Sequence, residues 1–248
     1  MKPTLKKLSL ISTVLSVSLA SSMAMANVVT FANFSDKTSN RNFVFTNNTA
    51  TGSASFWASA DPVTFTYTSL AVDPALQGTL NAHLTMTSSL ATSTPAYYDT
   101  RTHNDYQTID GVTTMKFTLD TAYKGKTNLL TVIFSSSVTD DIYLAGLKGA
   151  TSLGLTADSG FQHVTYTSDF LNFGNVTSRS FGLTFSGQSI ATGINTTDQL
   201  LNSFGTDGTG TFSADPAPVV TSIPEPESST MLLAGLGLMG FVSRRRKS

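Results

Sequence analysis

Val63-Thr64-Phe65-Thr66-Tyr67-Thr68 alternates three apolar side chains with three threonines. A period of two places alternate residues on opposite faces, as in a β-strand with one buried face. The alternation recurs in TLNAHLTM (79–86), VTTMKFTLD (112–120) and FGLTFSG (181–187). LLTVIF (129–134) is continuously apolar and predicts a more fully buried strand. These segments predict an all-β body.

Turn-forming residues separate the predicted strands, at Asp61-Pro62, Asp73-Pro74, Asp110-Gly111, Lys124-Gly125 and Asp207-Gly208. About ten short strands divided in this way favour an antiparallel β-sandwich or jelly roll. We assign this domain to residues 27–212. The only helix candidates are short, 71–76 and 197–204, and residues 88–108 are predicted to form the longest loop.

The charge of the body excludes nucleic acid as a partner. Residues 27–215 carry 14 Asp, eight basic residues and no Glu, a net charge of 8 − 14 = −6. Phosphate backbones require a basic surface, which this body lacks. The chain also has no cysteine, which excludes thiol catalysis, iron–sulfur clusters and cysteine-based zinc sites.

The first 26 residues have the three parts of a secretory signal peptide. Lys2, Lys6 and Lys7 precede the apolar stretch LSLISTVLSVSLA (8–20). Ala24 and Ala26 then form a small-x-small cleavage site, which predicts a mature chain that begins at Asn27. We therefore expect signal peptidase and the Sec export machinery to handle the chain.

The last 36 residues contain a spacer, an apolar segment and a basic cluster, in that order. The spacer, 213–227, holds four prolines and is predicted to be extended. Residues 228–243 are uncharged and apolar, which predicts a single short transmembrane helix. The tail, 244–248, contains Arg244, Arg245, Arg246 and Lys247, which are expected to stay cytoplasmic. With a cleaved signal in front, the body then lies outside the inner membrane.

Pro224-Glu225-Pro226, followed by LLAGLGLMGF (232–241) and the three arginines, resembles the PEP-CTERM sorting signal of Gram-negative bacteria. The resemblance is confined to this tail. It implies recognition by an exosortase, which cleaves near the Pro-Glu-Pro motif. It further implies an inner-membrane-anchored precursor, a mature form at the cell surface or outside the cell, and a link to exopolysaccharide, biofilm or floc.

The densest polar cluster of the body lies in YYDTRTHNDYQTIDG (97–111). Tyr97, Tyr98, Asp99, Asp105 and Asp110 are its candidate ligand-binding residues. The aspartates could serve Ca²⁺, which takes six to eight oxygen ligands, although the spacing is not that of an EF-hand. The tyrosines could instead stack on a sugar ring, and an ordinary solvated loop is the third alternative.

No catalytic residue and no established metal ligand is predicted. A body without Glu cannot contain HExxH, and the chain has no G-x-S-x-G. The leading hypothesis is a structural or interaction protein, not an enzyme. The alternative is a carbohydrate- or calcium-dependent binding module, and an extracellular hydrolase is the weakest hypothesis.

Overall fold

The computed structural model describes residues 28–68, 72–90, 95–136, 142–157, 163–187, 193–195 and 199–221. Fifteen strands account for most of them: β1 (Val29–Asp36), β2 (Phe43–Asn48), β3 (Ser53–Tyr67), β4 (Thr79–Leu90), β5 (Tyr97–Asp99), β6 (Asn104–Thr108), β7 (Thr113–Tyr123), β8 (Lys126–Phe134), β9 (Tyr143–Leu147), β10 (Ser152–Ala157), β11 (Val164–Thr167), β12 (Leu171–Asn172), β13 (Ser178–Ser186), β14 (Phe204–Asp215) and β15 (Val219–Val220).

One antiparallel sheet contains thirteen of these strands. Its order is β11-β8-β7-β4-β3-β1-β14-β13-β10-β9-β6-β5, and β2 also pairs with β3 and β14. Strands β12 and β15 form a separate antiparallel pair. The prediction of an antiparallel all-β body is confirmed. In the helix candidate 71–76, only Pro74–Leu76 forms a single 3-10 turn. In the candidate 197–204, Phe204 is the first residue of β14.

The long sheet bends over, so that distant strands face each other across an aromatic core. Phe34 of β1 and Phe117 of β7 are not on neighbouring strands, yet their ring centroids lie 4.9 Å apart. Phe134 of β8 and Phe181 of β13 likewise approach to 4.7 Å. Two halves of one sheet therefore supply the two facing layers, with the alternating apolar residues buried between them.

Strands β1 and β2 together fill one row of the sheet between β3 and β14, with a break at residues 37–42. Opposite the break, β3 shifts register between Ala58 and Asp61, and Ala60 has a φ of 48°. The turn predicted at Asp61-Pro62 is therefore wrong. These residues lie at a bulge inside one 15-residue strand, since a bulge adds residues without ending the pairing.

The turn predicted at Asp207-Gly208 is also wrong, because both residues lie inside the central strand β14. The glycines of this strand make room for aromatic rings. A Cβ at Gly208 would lie 2.5 Å from the ring of Phe43, and one at Gly210 would lie 2.7 Å from the ring of Phe34. Glycine within a strand thus marks a close approach here rather than a turn.

The body extends beyond its predicted end at residue 212. Strand β14 continues to Asp215, and β15 pairs Val219 with Asn172 and Val220 with Leu171. The extended spacer predicted from Ser213 is therefore wrong for residues 213–221, because pairing with β1, β12 and β13 fixes them to the sheets.

Three predicted segments lie outside the described residues: the signal peptide (1–26), the sorting helix (228–243) and the basic tail (244–248). Within the described ranges, no helix is long and apolar enough to cross a membrane.

Candidate functional site

The predicted ligand-binding segment forms a hairpin rather than a loop. Strands β5 and β6 pair with each other, and β6 pairs with β9, so the hairpin closes one edge of the large sheet. The long loop predicted over residues 88–108 is wrong, since β4 extends to Leu90 and both hairpin strands fall within that range. The polar residues of the hairpin are not all exposed, since Asp105, Gln107 and Thr108 of β6 are buried.

Tyr97 and Tyr106 of the hairpin and Tyr143 of the neighbouring strand β9 lie together on one face of the sheet, which we call the tyrosine face. The rings of Tyr97 and Tyr106 are stacked, with centroids 5.1 Å apart and planes at 12°. Tyr143 meets both edge-on, at 6.1 Å from Tyr97 and 5.7 Å from Tyr106. Tyr97 remains 46% exposed. Its ring is therefore held by its neighbours while part of it stays open to solvent.

Polar side chains border the tyrosine face. The hydroxyl of Tyr106 accepts a hydrogen bond from Asn104 Nδ2 and also bonds with Thr102 Oγ1, each at 3.3 Å. Thr102 Oγ1 in turn donates to Asp99 Oδ2 at 3.1 Å. The backbone N–H of Arg101 donates to Asp99 and, as the largest contribution, lowers the pKa of that carboxyl. An ionised carboxylate is thus connected through Thr102 to the hydroxyl of Tyr106.

Tyr98 lies on the opposite face of the same strand. Its hydroxyl bonds with Nδ1 of His103 at 2.9 Å, and the Lys148 ammonium lies 5.2 Å from its ring centroid. Asp105 pairs with Tyr98 in the strand register but is only 1% exposed. Burial raises the pKa of Asp105, and the positive charge of Lys148 lowers it by a smaller amount. The candidate residues therefore divide between two faces.

The three candidate aspartates are not brought together. Asp99 lies at the turn end of the hairpin, Asp105 is buried on the other face, and Asp110 follows the far end of β6. At about 3.3 Å per residue, the strand between Asp99 and Asp110 separates them by about 20 Å. No group of three or more Asp, Glu, His or Cys residues in the described ranges could hold a metal ion. The geometry does not favour the calcium alternative at this hairpin.

A second acidic cluster was missed by sequence reasoning. Asp36 ends β1, Asp61 lies at the bulge of β3, and Asp207 belongs to β14, so all three border the break between β1 and β2. We call them the junction aspartates. They are distant in sequence, and only the strand register brings them together. The Asp-Pro dipeptide inside a run of alternating residues was the one local signal.

The junction aspartates repel one another. Asp61 is 1% exposed and accepts a hydrogen bond from Asn42 Nδ2. Burial, together with the charges of Asp36 and Asp207, raises the pKa of Asp61 to about 6. The carboxyl groups of Asp36 and Asp61 lie within hydrogen-bonding reach, a contact that needs a proton on one of them. When both are ionised, Oδ2 of each lacks a hydrogen-bond partner among the described residues.

A groove lies where the described chain ends. It has a volume of about 460 Å³, and its lining includes Tyr166, Leu171, Asn172, Phe173, Arg179 and Thr221. We call it the terminal groove. Arg179 reaches into it from β13, and Thr221 is the last described residue.

The remaining predicted sites lie outside the described residues. They are the cleavage residues Ala24, Ala26 and Asn27, the motif Pro224-Glu225-Pro226, and the basic cluster Arg244, Arg245, Arg246 and Lys247.

Comparison with known proteins identifies the tail alone. Residues 222–247 match the family model of the PEP-CTERM protein-sorting motif. No curated protein and no solved structure matches the chain. The resemblance drawn from Pro224-Glu225-Pro226 and the segments after it is confirmed, and it is confined to the C-terminal end.

Proposed function

We propose that this exported exosortase substrate acts outside the cell as a non-catalytic structural or interaction component of an exopolysaccharide-containing matrix, as in a biofilm or floc. The sorting motif implies export, transient anchoring in the membrane and processing by an exosortase. The match begins at residue 222, two residues after β15 ends at Val220. This adjacency carries the proposal, because it makes the β-sheet body the part that sorting delivers.

The chemistry of the body supports a binding role over a catalytic one. Asp36 and Asp61 are carboxyl groups that face each other, as in some hydrolases. Asp61 is 1% exposed, however, and the pair lies inside a sheet rather than across a cleft. Glycosidases hold their two carboxyl groups about 5 Å or more apart, on either side of a bound sugar. The junction aspartates leave no such space.

Replacing Pro224-Glu225-Pro226 with three alanines is expected to abolish processing and leave the full-length precursor in the inner membrane. The substitution removes the motif while keeping the apolar segment and the basic cluster that hold the chain in the bilayer. Immunoblotting of membrane and extracellular fractions in an exosortase-containing host measures the outcome.

Pro218→Ala is the matched control, since Pro218 lies outside the matched residues. It should be processed normally. Normal processing of the triple-alanine variant would refute the sorting assignment.

The tyrosine face supports a second candidate function, carbohydrate binding. The exposed ring of Tyr97 is stacked on Tyr106, whose hydroxyl is connected through Thr102 to the Asp99 carboxylate. Such a surface suits the apolar face and the hydroxyls of a sugar. Aromatic anchors of this kind often supply most of the energy of an interface.

Tyr97→Ala is expected to weaken binding to the polysaccharide of the producing strain at least about tenfold, which corresponds to about 1.4 kcal/mol. The reason is the loss of the exposed stacking surface. Pull-down against the purified polysaccharide, or calorimetry, measures the change. Tyr98→Ala is the control, because it removes the neighbouring tyrosine from the opposite face. If Tyr97→Ala binds as well as the unaltered protein, the tyrosine face is not a sugar site.

A further inference from the structure

The terminal groove contains a guanidinium group without an anionic partner among the described residues. Arg179 Nε is buried and has no hydrogen-bond partner there. Arg179 Nη2 donates to the carbonyl of Phe173, but only at 3.4 Å. Arg179 as a whole is half-buried, but a buried donor atom without an acceptor is costly. The groove is therefore suited to a carboxylate, which can accept two parallel hydrogen bonds from arginine.

Strand β15, the last strand among the described residues, ends at this groove. The N–H of Thr221 donates to the carbonyl of Phe170 at 2.8 Å, and β15 pairs with β12 immediately before it. Thr221 and Arg179 line the same groove. Residue 222 therefore begins at the groove that contains the Arg179 guanidinium.

The residues that follow are chemically complementary to the groove. Segment 222–227 reads SIPEPE and contains both glutamates of the chain, Glu225 and Glu227. Glu225 is four residues and Glu227 six residues beyond Thr221, so chain length limits their distance from Thr221 to at most about 14 Å and about 22 Å. Two prolines also reduce the conformational entropy that the segment loses on docking.

We propose that segment 222–227 docks in the terminal groove, where a glutamate carboxylate accepts hydrogen bonds from the Arg179 guanidinium. The sorting motif of the precursor is then bound by its own body, and a processing enzyme must compete with Arg179 for it. This contact is a property of the precursor alone, so it can be tested without an exosortase and independently of the function of the body.

Hydrogen–deuterium exchange of the full-length precursor in detergent micelles tests the docking. The amides of 222–227 should exchange at least about tenfold more slowly in the unaltered protein than in Arg179→Gln. The double variant Glu225→Gln/Glu227→Gln should lose the same protection, and it leaves every residue of the described body unchanged. Arg101→Gln, a substitution at the distant hairpin, is the matched control and should retain protection.

Charge reversal tests directly whether Arg179 and the glutamates form an ion pair. Arg179→Glu should remove the protection, and combining it with Glu225→Arg/Glu227→Arg should restore it. The proposal is overturned if segment 222–227 exchanges equally fast in the unaltered protein and in the double glutamine variant. It is also overturned if protection of residues 171–174 requires added polygalacturonate, since an external acidic polysaccharide then occupies the groove.

Discussion

Phe34→Ala is expected to lower the free energy of unfolding by about 3–5 kcal/mol, the usual result of truncating a buried phenylalanine. Phe34 is 3% exposed, and its ring lies 4.9 Å from that of Phe117 and 6.1 Å from that of Phe212. It therefore connects β1 to β14 and to β7 across the core. Since whole domains are stable by only about 5–15 kcal/mol, this single change should remove much of the stability.

Urea unfolding of a chain that ends at Thr221, followed by circular dichroism, measures this effect. Trp57→Ala is the control, because it removes a large aromatic side chain that is 38% exposed. It should change stability by less than about 1 kcal/mol. A loss below that value for Phe34→Ala would show that the two halves of the sheet do not share this core.

Asp61→Asn is expected to stabilise the protein near pH 7.5 by about 1–3 kcal/mol. An amide at this position can still accept the hydrogen bond from Asn42, and its N–H₂ can donate to Asp36. The substitution therefore replaces a repulsive pair of carboxylates with a hydrogen bond. It also removes a buried charge, whose desolvation is the main cause of the raised pKa.

The pH dependence of this effect has a definite sign. The pKa of Asp61 rises from 3.8 to about 6 on folding, so the folded state binds more protons between these values. Stability should therefore fall as pH rises through this window, by about 3 kcal/mol if Asp61 acts alone. The stabilisation by Asp61→Asn should accordingly vanish near pH 4 and be complete above about pH 7.

Thermal melts of both proteins from pH 4 to pH 8 measure this prediction. Asp99→Asn is a control of opposite sign, because the pKa of Asp99 is lowered in the folded protein. It should reduce stability at neutral pH. If Asp61→Asn instead destabilises the protein at pH 7.5, the ionised Asp61 carboxylate makes a net favourable interaction, and the proposed repulsion among the junction aspartates is refuted.

The alternating segments made much of the fold predictable. Phe65, Leu84 and Phe117 are each buried at the centre of such a segment, as a period of two requires. Local pattern could not reveal that one bent sheet supplies both layers, because pairings such as Val29 with Ala214 join opposite ends of the body.

Two sequence signals were misinterpreted because packing decides their meaning. Asp207-Gly208 resembles a turn, but Gly208 and Gly210 belong to the central strand, where aromatic rings occupy the space of their missing side chains. Asp61-Pro62 also resembles a turn, but it marks a bulge. In both cases the explanation is a neighbour that is remote in sequence.

The candidate sites were predictable to different degrees. The tail could be identified because its motif is continuous in the sequence. The cluster in 97–111 contains Tyr97 and Tyr106 of the tyrosine face, but the strand register separates Tyr97 from Tyr98 and adds Tyr143, which no local pattern connects to it. Arg179 and Thr221 are 42 positions apart, and the pairing of β12 with β15 brings them to one groove.

The central position of β14 in the sheet also determines when the body can finish folding. Thr30 and Ser213 share a hydrogen bond although 183 positions separate them. The middle of the sheet therefore cannot form until β14, near the end of the body, has been exported. Contacts between such distant positions form slowly. Six residues, 222–227, separate Thr221 from the start of the predicted membrane segment at residue 228, and a chain of that length can span at most about 22 Å. We therefore expect a newly exported chain to be held beside the bilayer by its transient anchor while its final central strand inserts.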